Sequence, residues 1–167
     1  LQLLDLTDNI DAILDFLEHT PNTSGGDADE CYEYALKMAG TMSWPEEGGS
    51  LLMIGDCAPH DVGYRLVNPL WEIAFDSKTL NICWKDELGS LLSRNVKVFP
   101  LQCMKNSYSV RENNFWESLA SISQTPLLQL NDFGESTENL EAVAFASSGH
   151  ENYTRYAERT KGRRSLL

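Results

Sequence analysis

Apolar positions along this chain recur at two different spacings, and each spacing predicts an element. Ile10, Ile13, Leu14 and Leu17 fall at three- and four-residue steps, which predicts an amphipathic helix over 9–19 with Asp8 as its N-cap. Pro21-Asn-Thr-Ser-Gly-Gly26 breaks it. A second helix follows over 28–41, with Asp29 and Glu30 in the first turn, where the helix dipole favours acids. Leu51 to Gly55 is then a continuous apolar run, the mark of a strand buried on both faces. The pattern over 60–81 is weak and reads as a long loop or insertion, with Pro69-Leu-Trp-Glu-Ile-Ala-Phe75 as a covering flap or short element. Trp84, Leu88, Leu91 and Leu92 mark a helix over 84–94. A strand over 96–103 contains Pro100, which suits a bulge or a place near an edge. A helix over 113–123, a short strand over 127–130 and a helix over 136–147 complete the order. Helix–strand alternation of this kind predicts an α/β fold, with a largely parallel sheet covered by helices on both faces.

Composition narrows the function classes. The chain of 167 residues is 42% hydrophobic, enough for one folded domain with a real core. No apolar run reaches the roughly 20 residues that a membrane-spanning helix needs, and no signal peptide is visible. A net charge of −12 argues against nonspecific nucleic-acid binding. Glu151 to Leu167 stands apart: five cations and two acids give it +3 against −15 for the remainder. The expected organisation is a domain over 1–149 and a basic tail or helix over 150–167. Cys31, Cys57, Cys83 and Cys103 form no C-x-x-C pair, so they are expected to be buried thiols in a reducing, intracellular, cytoplasmic setting. The chain starts at Leu1 rather than Met, which reads as a fragment or a processed product.

The most specific segment is Ser50-Leu-Leu-Met-Ile-Gly-Asp-Cys-Ala-Pro-His60, a buried strand ending in a carboxylate. Upstream, Ser24-Gly-Gly-Asp-Ala-Asp-Glu-Cys-Tyr-Glu-Tyr-Ala-Leu36 is a Gly-rich turn feeding a helix. Downstream come Asn95-Val-Lys-Val-Phe99, Phe115-Trp-Glu-Ser-Leu-Ala-Ser-Ile-Ser123 and Leu127-Leu-Gln-Leu130. In order and spacing, these resemble the C-terminal two-thirds of the von Willebrand factor type A (vWA) family, closest to its intracellular members. The resemblance spans about 7–148.

That resemblance implies a Rossmann-like, three-layer α/β domain lacking its first strands, and a protein–protein interaction module rather than an enzyme. Members hold Mg²⁺ or Mn²⁺ on the carboxyl edge of the sheet with three loops. Asp56 matches the third-loop Asp. The second-loop Thr position falls on Gly26, with Asp27 and Thr23 as the nearest substitutes, and the first-loop Asp-x-Ser-x-Ser is absent. The resemblance therefore assigns Asp56 and Asp27 as metal ligands of an incomplete adhesion site. Ser24, Asp29, His60, Asp61 and Trp71 are the expected contacts to a protein partner. Two other readings stand beside it. One is a degenerate structural domain of a larger protein. The other is a Cys57/His60 enzyme, for which the sequence offers neither an orienting partner nor an oxyanion device.

Overall fold

The computed structural model describes residues 2–21, 29–63, 81–103 and 110–130, together with Glu141, Val143, Thr154, Arg155 and Glu158. Among these residues the chain is mixed α/β, with four helices and one three-stranded parallel sheet. It divides into two compact units. One comprises Leu1–Glu47 and Cys57–Asn95, the other Gly48–Asp56 and Val96–Leu167.

The first unit is helical. Helix α1 spans Ile10–Glu18 and is capped by Asn9, whose side chain accepts the Ala12 N–H at 3.1 Å. The expected cap, Asp8, is displaced by one residue because Thr7 Oγ1 accepts the Asn9 N–H at 3.1 Å and turns Asn9 into the cap position. His19 occupies the C-cap, its ring Nδ1 2.9 Å from the Asp15 carbonyl. The predicted apolar stripe exists, but of its four residues only Ile13 is half-buried. Ile10, Leu14 and Leu17 are 67%, 57% and 64% exposed, and the helix has no buried residue.

Helix α2 (Tyr32–Ala39) packs on helix α3 (Trp84–Ser93). Leu36, Leu88 and Leu91 are fully buried there. Such side chains contribute about 1.5–3 kcal/mol each on leaving water. The end of α2 is tied down from a distance. Arg94 donates to the carbonyls of Gly40 at 2.6 Å and Met42 at 3.4 Å, and Trp44 Nε1 donates to the Ala39 carbonyl at 2.7 Å. Asp5 accepts from both the backbone N–H and the hydroxyl of Ser43, at 2.8 and 2.6 Å.

The second unit is the sheet, ordered β1 (Gly49–Gly55), β2 (Val96–Cys103), β3 (Leu128–Leu130). Gly48 enters β1 at φ 90°, buried, a conformation that costs other residues a Cβ clash. β1 was expected to be buried on both faces; instead it is mostly half-buried, and Ile54 is 53% exposed. The doubly buried strand is β2, where only Lys97 is exposed. The reason is position: β2 has a strand on each side and helix α4 (Val110–Ser123) against it, whereas β1 pairs with β2 alone among the described residues.

Pro100 causes no bulge, since the register runs unbroken from Gly49↔Val96 to Gly55↔Gln102. Thr125 Oγ1 donates to the Val98 carbonyl at 2.6 Å, which places the main-chain polar groups of Val98 on the β3 side. By two-residue alternation those of Pro100 point the same way. Pairing with β3 begins only at Leu101↔Leu128, so the missing N–H falls where no ladder bond is due. Phe99, Leu101, Leu128 and Val143 form the core, with Leu52 and Leu130 against it. On α4, Trp116 and Leu119 are fully buried, and Phe115 meets Trp116 edge-on at 5.1 Å. Gln124 ends α4 at φ 54°, a strained left-handed turn that returns the chain towards β3.

Candidate functional site

Each unit carries one concentration of polar chemistry. In the sheet unit it lies at the carboxyl edge. The Gly55↔Gln102 pairing brings the next residues, Asp56 and Cys103, to neighbouring strand ends. Asp56 is exposed, Cys103 half-buried. The Cys103 thiol is pushed up from its ordinary pKa, first by burial and then by the negative charge of Asp56. Gln102 is 1% exposed, and its Nε2 donates to Asn113 Oδ1 of α4 at 3.0 Å. Gln102 Oε1 and Glu112 Oε2 are buried without a hydrogen-bond partner among the described residues. Asp56 thus places an exposed carboxylate where parallel α/β sheets bind their ligands.

In the helical unit the chemistry is buried. Glu33 lies in the first turn of α2, 1% exposed, and His60 is 5% exposed. The Glu33 carboxylate receives both ends of His60: Oε1 lies 3.1 Å from ring Nδ1, and Oε2 accepts the His60 backbone N–H at 3.2 Å. The segment bearing His60 is held in register with the entry to α2. Glu30 N–H donates to the Ala58 carbonyl at 2.9 Å, and Glu30 bridges Pro59 in parallel. Cys31, half-buried at the N-cap of α2, completes the group. Ligand atoms of Cys31, Glu33 and His60 all lie within 4.8 Å of one another, so the three could hold a metal ion.

Of the residues expected from sequence, Ser24, Asp27 and Trp71 lie outside the described residues. Asp56 sits at the sheet edge as expected; Asp29 is half-buried and Asp61 exposed. His60, expected to face a partner, is turned inward by its two bonds to Glu33. His60, half of the Cys57/His60 alternative, lies in a group with Cys31 and Glu33. All four cysteines are thiols, and each is half-buried rather than buried.

Sequence reasoning passed over Glu33, Cys31 and Asn113. A signal for Glu33 was present: it shares the inward phase of α2 with Leu36 and Ala39, three and six residues on. An acid in that phase needs a buried partner. No helix among the described residues is long and apolar enough to cross a membrane. No family model matches this chain, and neither does any curated protein or solved structure.

Proposed function

We propose that this chain is a vWA-like, Rossmann-type module that binds a protein partner at the carboxyl edge of its parallel sheet, with Asp56 as the anchor. One observation carries the reading: an exposed carboxylate directly after β1, beside the end of the central strand and close enough for its charge to act on the Cys103 thiol. Ligands of open parallel sheets bind at this edge, outside the carboxyl ends of the strands. A carboxylate exposed there suits a hard cation of the Mg²⁺ or Mn²⁺ class, or the cationic side chain of a partner. Asp27 is proposed as a further ligand, and Ser24, Asp29, Asp61 and Trp71 as contacts to the partner. The module acts by binding rather than by catalysis, and its four thiols fit a reducing, cytoplasmic setting.

The test compares wild type with Asp56→Ala, whose side chain is exposed, so the fold is expected to survive. Melts are run in EDTA, Mg²⁺ and Mn²⁺. A cation that binds only the folded chain stabilises it by about 2.7 kcal/mol at a hundredfold excess over Kd. That rise is expected in wild type and absent in Asp56→Ala. Proteins retained from cell extract on the two immobilised chains are then compared in Mg²⁺ and in EDTA. Identical retained sets, with no cation-dependent rise in either chain, would remove Asp56 from any binding role.

A further inference from the structure

The buried group in the helical unit has a different chemistry from the sheet edge and stands independently of the reading above. One ligand atom is a sulfur, one a carboxylate oxygen and one an imidazole nitrogen. This donor set is unsuited to Mg²⁺ or Ca²⁺, which take oxygen ligands. It is suited to a borderline divalent transition metal, of which Zn²⁺ is the type, bound by thiolate, imidazole and carboxylate together.

A hydrogen-bonded Glu33–His60 pair would by itself satisfy two buried polar groups. A third donor stands beside it: the Cys31 sulfur, at the N-cap of α2, lies within 4.8 Å of both ligand atoms. The distances also fit. Two ligands bound at about 2.0–2.1 Å in a tetrahedral shell stand roughly 3.3 Å apart. Glu33 Oε1 and His60 Nδ1 are already 3.1 Å apart, close to that separation, so an ion set to one side of the line between them can reach both.

The supports around the trio are those a metal site needs. The second Glu33 oxygen is anchored by the His60 backbone N–H, which fixes the carboxylate's orientation. The Glu30–Ala58 bond and the Glu30–Pro59 bridge lock together the two segments that supply the ligands. Burial of Glu33 and His60 at 1% and 5% exposure limits competition from water. Cys31, half-buried, gives the site its accessible side.

We infer that Cys31, Glu33 and His60 form a Zn²⁺-class metal site, with a fourth coordination position left for water or an incoming group. On binding, the Cys31 S–H bond breaks and its proton leaves to the buffer, while neutral His60 carries its hydrogen at Nε2, so that Nδ1 presents its lone pair to the metal. No electron is transferred and no bond between heavy atoms of the chain breaks. The ion would tie the start of α2 to the segment after β1 and so act on the stability of the helical unit.

The experiment uses the whole chain, stripped with chelator and titrated with Co²⁺ as a spectroscopic stand-in for Zn²⁺. Cys31→Ser is the decisive variant, because it keeps the Glu33–His60 pair and the volume of the side chain. Cys57→Ser, a half-buried thiol of the same unit, is the control. Wild type and Cys57→Ser should bind one Co²⁺ each, with a near-ultraviolet sulfur-to-cobalt charge-transfer band that Zn²⁺ abolishes. Cys31→Ser should lack the band and bind at least about tenfold more weakly, with an unchanged far-ultraviolet spectrum. Absence of the band in wild type would overturn the site. So would an equal band in Cys31→Ser, or its loss in Cys57→Ser alone. Because the metals and variants differ from those used at Asp56, either reading can fail without the other.

Discussion

The sheet unit and the helical unit differ in what they bury. Around β2 the interior is mostly apolar: Val96, Val98, Phe99, Leu101, Leu128, Trp116 and Leu119 are all buried, the buried polar side chains there, Gln102 and Ser123, are neutral, and ladder bonds absorb backbone polar groups. In the helical unit, Leu36, Leu88 and Leu91 pack between α2 and α3, yet a carboxylate and an imidazole are also fully enclosed. The first arrangement draws its stability from area removed from water. The second must keep every donor and acceptor of a buried pair satisfied, because a widowed buried polar group is costly. The contrast teaches where tolerance to change should differ. The sheet core should respond to lost volume, and the helical unit to lost hydrogen bonds at nearly constant volume.

Trp116→Ala sets the upper end of that scale. The ring is fully buried against Phe115, so truncation should cost about 3–5 kcal/mol in urea unfolding. A cost below about 1 kcal/mol would mean that α4 does not depend on this face, and the contrast would fail on the sheet side. Glu33→Ala probes the other side. It leaves His60 enclosed without its acceptor and should cost about 1–3 kcal/mol, while Glu33→Gln, which keeps the shape and an acceptor, should cost visibly less. Equal costs for the two variants would show that volume, not hydrogen bonding, governs this unit as well.

The smallest expected effect sharpens the comparison at the surface of the helical unit. Hydrogen bonds from the Ser43 hydroxyl, the Ser43 N–H and the Leu6 N–H hold the Asp5 carboxyl below its ordinary pKa. A carboxyl depressed in the folded state contributes stability that is present above its unfolded value and lost as pH falls through the folded one. The melting midpoint should therefore carry an Asp5-dependent decline below about pH 3.8, the ordinary value for this group. Ser43→Ala removes the largest cause and should shrink that decline by lowering the midpoint slightly near neutral pH, leaving it little changed in acid. A decline identical in wild type and Ser43→Ala would remove this tie between the chain start and the end of α2.

Several elements were readable from the chain alone. The helix over 84–94 and the strand over 96–103 are found within a residue of their expected limits, as Trp84–Ser93 and Val96–Cys103. Their apolar spacing is strong, and their boundaries are marked by a polar turn, Arg94-Asn95, with Asn95 at φ 59°. The alternation of helices and strands gave the parallel sheet. Asp56 at the end of β1 was visible because an apolar run ending in Gly-Asp marks a strand end. What the pattern misjudged was relative burial. Leu51 to Gly55 and Val96 to Leu101 are both largely apolar, yet among the described residues only the second sits between two strands. The stripe on α1 likewise has helical spacing, yet Ile10, Leu14 and Leu17 stay exposed, because periodicity specifies a face and not what covers it.

By itself, then, the sequence determined the local elements, their order and the carboxylate at the sheet edge. These depend on residues near one another in the chain, through side-chain period, turn chemistry and backbone hydrogen bonding. Only the tertiary structure decided which strand is central, and only it brought His60 to Glu33 and Cys31 across 27 and 29 positions of chain. That meeting depends on the packing of α2 beside the Ala58–His60 segment. Distances of a few ångströms between residues so far apart in sequence are set by the closed fold, and no spacing rule along the chain encodes them.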